Sequence, residues 1–304
     1  MTELTYLVAP IFLIILLGKF LRLFLVRDDL IWQQINKLSY WVLFPCLLFN
    51  KTSVIDFGSF SIGAFSVTLL MGFSASVVLA FVASKFFGLS NASLSSVMQG
   101  SGRHNSFVAL AVVSQFLGEQ GAMLGALAVA VLVSFSNIVT IIILTELLSN
   151  KQSGKNRVLL EVTRNPFIVA IFLGITFNVI GWGNIPILHE FTANVGKAAL
   201  PLALICVGAG LRFAEARAHL IPTTIACFCK LIIFPTTAFG VARFFDLSDI
   251  MTMTVVIFAA APTSSTAYAL AKQMGGDAPL MATIISLQTL LSVLIIPGVI
   301  LLLQ

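Results

Sequence analysis

The fold class this sequence predicts is an all-α polytopic membrane protein: ten transmembrane helices in two inverted five-helix repeats, with broken, crossing helices 4 and 9. Three observations carry that expectation. Of the 304 residues, 59% are hydrophobic and only 10% charged, with a mean hydropathy of +1.05, whereas soluble domains average about 25% charged residues. Apolar runs of about 20 residues, the length of a bilayer-crossing helix, recur from end to end and leave no separate soluble domain. The two halves also resemble one another in register.

In chain order, helices are expected at Tyr6 to Leu25, Ile35 to Lys51, Phe60 to Phe87, Ala92 to Leu117 and Gln120 to Leu148. The polar stretch Ser149 to Asn165, SNKQSGKNRVLLEVTRN, then divides five from five. Beyond it come Pro166 to Ile180, Phe191 to Leu211, Ile221 to Arg243, Ile250 to Gln273 and Pro279 to Leu303. The organisation expected is a first repeat at 1–148, a cytoplasmic linker at 149–165 and a second, inverted repeat at 166–304. The first run reads as a retained helix rather than a cleaved signal, because Met1 to Tyr6 has no basic residue and no small-residue cleavage site precedes the next polar segment.

The repeat rests on particular matches. Pro10 to Gly18 reads PIFLIILLG and Pro166 to Gly174 reads PFIVAIFLG, a shift of 156 residues, and the same shift takes Pro45 to Pro201. A shift of 157 takes Asn105 to Pro262 and Gly118-Glu119-Gln120 to Gly275-Gly276-Asp277. With an odd number of helices per unit, the second copy enters the membrane from the opposite side, as in many secondary transporters whose substrate site lies near the midplane between broken helices.

Loop charges give the orientation. With the N-terminus outside, the inner loops and helix ends hold Lys19, Arg22, Arg27, Lys37, Lys85, Lys151, Lys155, Arg157, Arg164, Arg212, Arg217 and Lys272. The outer ones hold Lys51, Lys197 and Arg243. Both termini are therefore expected on the outer side. The net charge of +5 is topology information, not a nucleic-acid patch. Cys46, Cys206, Cys227 and Cys229 all fall in apolar segments without a Cys-x-x-Cys or Cys/His cluster, so they read as buried free thiols.

Two interruptions stand out. In the fourth helix, Gly100 and Gly102 lower helix propensity by about 1 kcal/mol each, just before Arg103-His104-Asn105. The ninth carries APTSSTAYAL from Ala261, where Pro262 removes a backbone donor. Hydroxyls at Thr263, Ser264, Ser265 and Thr266 are available for the carbonyls this frees. The breaks occupy equivalent places in the repeat, and unwound backbone at membrane depth is tolerated only where it is buried in protein or lines a cavity. Half-helix N-termini at such a crossing supply positive partial charge and N–H groups suited to an anion.

All twelve acidic residues fall in loops or near helix ends, whereas Arg103, His104 and Lys230 are mid-helix. A substrate anion is then the natural counter-ion, while a cation/proton antiporter would need buried carboxylates. The candidate substrate-binding residues are Arg103, His104, Asn105, Lys230, Pro262, Thr263, Ser264, Ser265 and Asn50, with Asn137, Asn178 and Gln288 as weaker candidates that equally join helices. Each has an ordinary reading beside the functional one: Arg103 bracing the break, Lys230 snorkelling, and His104 as a neutral packer whose ordinary pKa would also suit a proton carrier.

These residues resemble the auxin efflux carrier family, the group that includes bacterial carboxylate permeases and plant PIN-type carriers. GRHNSFV is similar to its fourth-helix arginine, one residue, asparagine, then an aromatic; APTSSTAYALAKQMGGD resembles its ninth-helix proline, small residues and Gly-Gly-Asp exit; NPFIVAIFLG and KLIIFP fit the sixth and eighth helices. The resemblance implies ten helices, with helices 4 and 9 crossing in a transport domain beside a scaffold domain, each interleaving both repeats. It also implies elevator-like alternating access and organic anions as substrates, with Asn105 and Pro262 marking the crossover. The sequence departs from the common pattern in His104, where a small residue often stands, and in Thr263 to Ser265, which lack an asparagine. The short linker is of the bacterial type.

The function expected is thus secondary transport of small organic anions, carboxylates first among them, across a bacterial inner membrane. No cofactor is expected. Coupling to Na⁺, coupling to H⁺ and uniport are all compatible with the sequence, as are a monomer and a homodimer, and the partners are the anion and the lipid bilayer. The alternative is a membrane sensor or lipid-binding protein that keeps the transporter fold without net flux. An intramembrane serine protease is disfavoured: Gln99 stands where its Gly-x-Ser-Gly motif needs glycine, and His189 and His219 are expected in loops.

Overall fold

The computed structural model describes residues 2–56, 58, 60–148, 164–183, 185–211 and 219–304. The described residues form helices and no strand. They are α1 (Thr2–Phe24), α2 (Asp29–Leu38), α3 (Phe44–Thr52), α4 (Ile62–Phe86), α5 (Asn91–Gly102), α6 (Ser106–Leu148), α7 (Pro166–Val179), α8 (Pro186–Lys197), α9 (Ala199–Ala209), α10 (Leu220–Phe228), α11 (Phe234–Phe244), α12 (Asp249–Ala260), α13 (Thr266–Met274) and α14 (Ala278–Leu303). Among the described residues, five stretches are long and apolar enough to cross a membrane: Ile62–Phe86, Asn91–Leu148, Pro186–Ala209, Leu220–Phe244 and Ala278–Leu303. The linker expected from Ser149 lies outside the described residues up to 163, as do Arg212 and Arg217. Asn165, the linker's last residue, caps α7 by accepting the Phe167 N–H at 2.9 Å.

The helices differ from the expected boundaries where local chemistry intervenes. Expected helices 4 and 9 are each broken, between Gly102 and Ser106 and between Ala260 and Thr266. At Gly118 the backbone leaves helical geometry, at φ 63°, ψ −145°, a conformation open to glycine, so α6 is two helical segments that meet at a kink where the boundary between Leu117 and Gln120 was expected. His189 sits on a helix instead of in a loop, because Pro186 starts α8 five residues before the expected Phe191. Two π-helical turns were not expected: Ser39–Leu43 joins α2 to α3 and Cys229–Ile233 joins α10 to α11. Each is followed by Phe-Pro, at Phe44-Pro45 and Phe234-Pro235. A helical proline clashes with the carbonyl four residues back, here Trp41 and Leu231, and the wider turn relieves that clash.

The chain divides into two compact units. The first comprises Met1–Ile62, Phe107–Ala130 and Thr163–Gly210. Here α1 packs on α9 and α7 packs on α3. Glycine permits both approaches: a Cβ at Gly18 would overlap the Ile205 carbonyl, one at Gly208 the Ile15 carbonyl, and one at Gly174 the Thr52 hydroxyl. Phe44 fills the centre against Phe107 and Phe167, with ring centroids 4.7 and 4.8 Å away. Lys51 and Glu119 pair at 2.7 Å.

The second unit comprises Gly63–Ser106, Val131–Val162 and Leu211–Gln304. Its packing centre is Ala80, Val97, Ala226, Cys229, Leu280 and Ile284, from α4, α5, α10, the second π turn and α14. Small residues on α5 and α10 let these helices meet closely: a Cβ at Gly100 would press on Ile284 and Ala226. The consequence is that both helix breaks lie within one unit.

Candidate functional site

The first break begins where α5 ends. Gly102 is pressed by Phe73 and Val77, which leave no room for a side chain. Arg103 then turns extended at φ −64°, ψ 149°, its N–H closing the last helical bond to Gln99 O. Leaving the helix strips the carbonyls of Gly100 and Ser101 of their usual donors. Buried carbonyls need partners, and side chains from elsewhere in the unit supply them. Thr263 Oγ1 donates to Gly100 O at 2.7 Å, Gln288 Nε2 to the same oxygen at 2.9 Å, and Ser76 Oγ lies 2.8 Å from both Ser101 O and Cys229 O.

The second break mirrors the first. Ala261 is extended at φ −64°, ψ 142°, with its N–H on Ile257 O. The two unwound strands meet directly, as the Asn105 N–H donates to Pro262 O at 2.7 Å. The residues that the 157-residue shift makes equivalent are thus bonded to each other. The reciprocal bond is barred because proline has no N–H, and the next donor, Thr263 N–H, goes to Gln288 Oε1 at 2.9 Å.

Among the sequence candidates, Arg103, His104, Asn105, Pro262, Thr263, Ser264 and Ser265 all lie at this crossing. Arg103 Nη2 donates to Thr266 Oγ1 at 3.2 Å, and Thr266 Oγ1 is 2.9 Å from Ser264 Oγ. Ser265 precedes α13 and its carbonyl accepts the Tyr268 N–H. The Thr263 hydroxyl serves the facing break rather than its own, which the local sequence pattern did not indicate. His104 is buried, with Nε2 3.0 Å from Ser106 Oγ and its ring 5.9 Å from that of Phe258.

Lys230 belongs to the same unit, in the π turn that Ser76 ties to α5. It is 0% exposed, and Nζ has no hydrogen-bond partner among the described residues. Nζ stands 4.3 Å from the centroid of the Phe234 ring. A desolvated cation–π contact contributes about 2 kcal/mol, less than the several kcal/mol that removing an ammonium from water takes away. The ring alone does not balance a charge there.

Asn50 lies in the first unit, outside this network, where its amide nitrogen meets His189 O at 3.1 Å, His189 Nδ1 at 3.2 Å and Thr192 Oγ1 at 3.3 Å. Asn178 is also in the first unit, bonding Ser53 O and Ile55 O at the end of α3. Gln288, a weak candidate by sequence, proves central to the crossing. Ser76 and Gln99 were missed; Gln99 is 1% exposed and neither amide atom has a partner among the described residues. The signal available was a polar side chain inside an apolar helix. Among the described residues, no group of three or more His, Cys, Asp or Glu could hold a metal ion.

A family model described as "Membrane transport protein" matches residues 4–300. The chain belongs to that family. It is the auxin efflux carrier group that the motifs around Arg103 and Pro262 resemble. An "Uncharacterized transporter" of Methanothermobacter thermautotrophicus is 24% identical over 295 residues, covering 95% of each chain. As a member of this membrane transport family, the protein is a multi-pass membrane transporter and not an enzyme. Ser101 accordingly has a structural use, its hydroxyl donating to Val97 O at 2.8 Å.

Proposed function

We propose that this transporter carries small organic anions, carboxylates in particular, across a bacterial inner membrane by elevator-like alternating access. In this reading, the ten segments span the bilayer as two inverted five-helix repeats with both termini outward, and the second unit carries the substrate past the first. The observation that carries the reading is the Asn105–Pro262 crossing, which gathers Arg103, His104 and Lys230 in one unit with no carboxylate at the breaks among the described residues. Unwound backbone beside intramembrane cations is where an anion gains most from helix ends and fixed charge. The interleaved composition of the two units supports the repeat. So does the exchange of partners within the first unit: the shift of 156 turns α1 on α9 into α7 on α3.

The test is uptake by protein reconstituted into vesicles. Wild type is expected to take up members of a panel of mono-, di- and tricarboxylates, while Arg103→Ala and Lys230→Gln, expressed at the wild-type level, do not. Uptake of the whole panel at wild-type rate by both variants would refute the anion site. Carboxylate-induced thermal stabilisation without flux would indicate a sensor instead.

A further inference from the structure

The nature of the coupling ion follows from the setting of Lys230, on the reading that carboxylates are the substrate. The elements packed against its π turn are α5, α10, α11, α12 and α14, with α4 joined through Ser76. Among the described residues, these elements hold few titratable groups. α5 has none, and Arg103 and His104 follow it; α10 has Cys227, and Cys229 lies in the turn itself. α11 carries Arg243 in its last turn, which pairs with Asp249 of α12 at 3.8 Å, both side chains exposed. α14 has none beyond its cap, Asp277, which is engaged by Ser93 Oγ and the Leu280 N–H. α4 has Lys85 in its last turn. None of these elements brings a carboxylate to Lys230, and the neighbouring titratable groups at the break are a cation and an imidazole.

A lysine so placed has two ways to exist: as an ammonium facing an anion, or as a neutral amine among apolar atoms. We propose that Lys230 carries the coupling proton: it is neutral when the site holds no anion, and it takes a proton from the aqueous phase as the carboxylate binds, so that anion and proton cross together. The step is Lys230–NH₂ plus H⁺ plus carboxylate giving Lys230–NH₃⁺ paired with the carboxylate, and release on the other side returns both. Sodium is not required, since the bound charge is balanced by the proton.

The experiment uses wild type, Lys230→Arg and His104→Gln in proteoliposomes, with radiolabelled lactate, succinate and citrate as probes and the membrane potential held at zero by potassium and valinomycin. Arginine stays charged at any accessible pH, so it offers the anion a partner without exchanging a proton. A gradient of about two pH units, acid outside, sustains at most about 100-fold accumulation for one proton per anion. Wild type is expected to accumulate a probe at least tenfold over vesicles lacking protein, without sodium, and in His104→Gln, whatever its rate of transport, the final level is expected to rise with the gradient. Lys230→Arg is expected to reach the same final level with and without the gradient. The assignment is overturned if wild-type accumulation ignores the gradient, if Lys230→Arg still follows it, if His104→Gln exchanges probe but no longer follows the gradient, or if Lys230→Arg is inert even in probe exchange. If wild type moves none of the three probes, the carboxylate reading itself fails, an outcome distinct from all of these.

Discussion

At Gln288 one amide serves three backbone atoms: its oxygen accepts from Thr263 N–H, and its nitrogen lies near Gly100 O and Ala226 O. Replacement by leucine has unequal effects on the three. Gly100 O keeps the Thr263 hydroxyl and Ala226 O keeps the Cys229 N–H, so the Thr263 N–H alone loses its partner. A buried donor left unpaired costs about 1–3 kcal/mol. Gln288→Leu is therefore expected to lower the thermal unfolding temperature in detergent, whereas Ser264→Ala, half-buried and bonded only locally, is expected to unfold close to wild type. These partners were hard to read in advance. Gln288 and Gly100 are 188 residues apart, and a glutamine in an apolar run advertises a need for a partner without naming it. Arg103, His104 and Lys230 were legible because charge in an apolar run is expensive wherever it lies.

At the scale of elements, the chain reads most clearly where glycine and proline act. The breaks at Gly102 and Ala261 were visible as glycine pairs and a proline within apolar runs. The π turns were not, although Pro45 and Pro235 marked them, because a helical proline can equally end a helix or kink it. Glycines at crossings are invisible to periodicity, since their use lies in what a neighbour does. Gly18 and Gly208 hold α1 and α9 in backbone contact. Gly208→Val is expected to prevent that approach and to lower the yield of folded, monodisperse protein in size-exclusion chromatography. Gly298→Ala is the contrasting case. Gly298 lies within α14 with open space around it, and alanine there gains up to about 1 kcal/mol of helix propensity, so a neutral or slightly raised unfolding temperature is expected.

For the whole molecule, composition and loop charge already indicated a multi-pass membrane protein, and the family shows it to be a transporter. What the sequence did not reveal was the apportioning of the chain to two units. The point where α6 passes from one to the other, after Ala130, carries no break, glycine or change in composition. The proposed topology has its own test: alkaline phosphatase fused after Gln304 is expected to be active and green fluorescent protein at the same place dark, because both termini face outward. The opposite pair of results would reverse the orientation.

The single hydrogen bond between Asn105 and Pro262 has a consequence for transport kinetics. Two copies of one ancestral unit facing each other would offer a traveller the same welcome from either direction, yet residue 262 lacks the N–H that would complete the pair. In the proposed carrier the crossing is therefore not its own mirror image: one strand gives it a backbone N–H and the other a carbonyl oxygen. Half-saturating concentrations measured from the two sides should differ, and detailed balance requires the resting preference of the unloaded carrier to offset that difference.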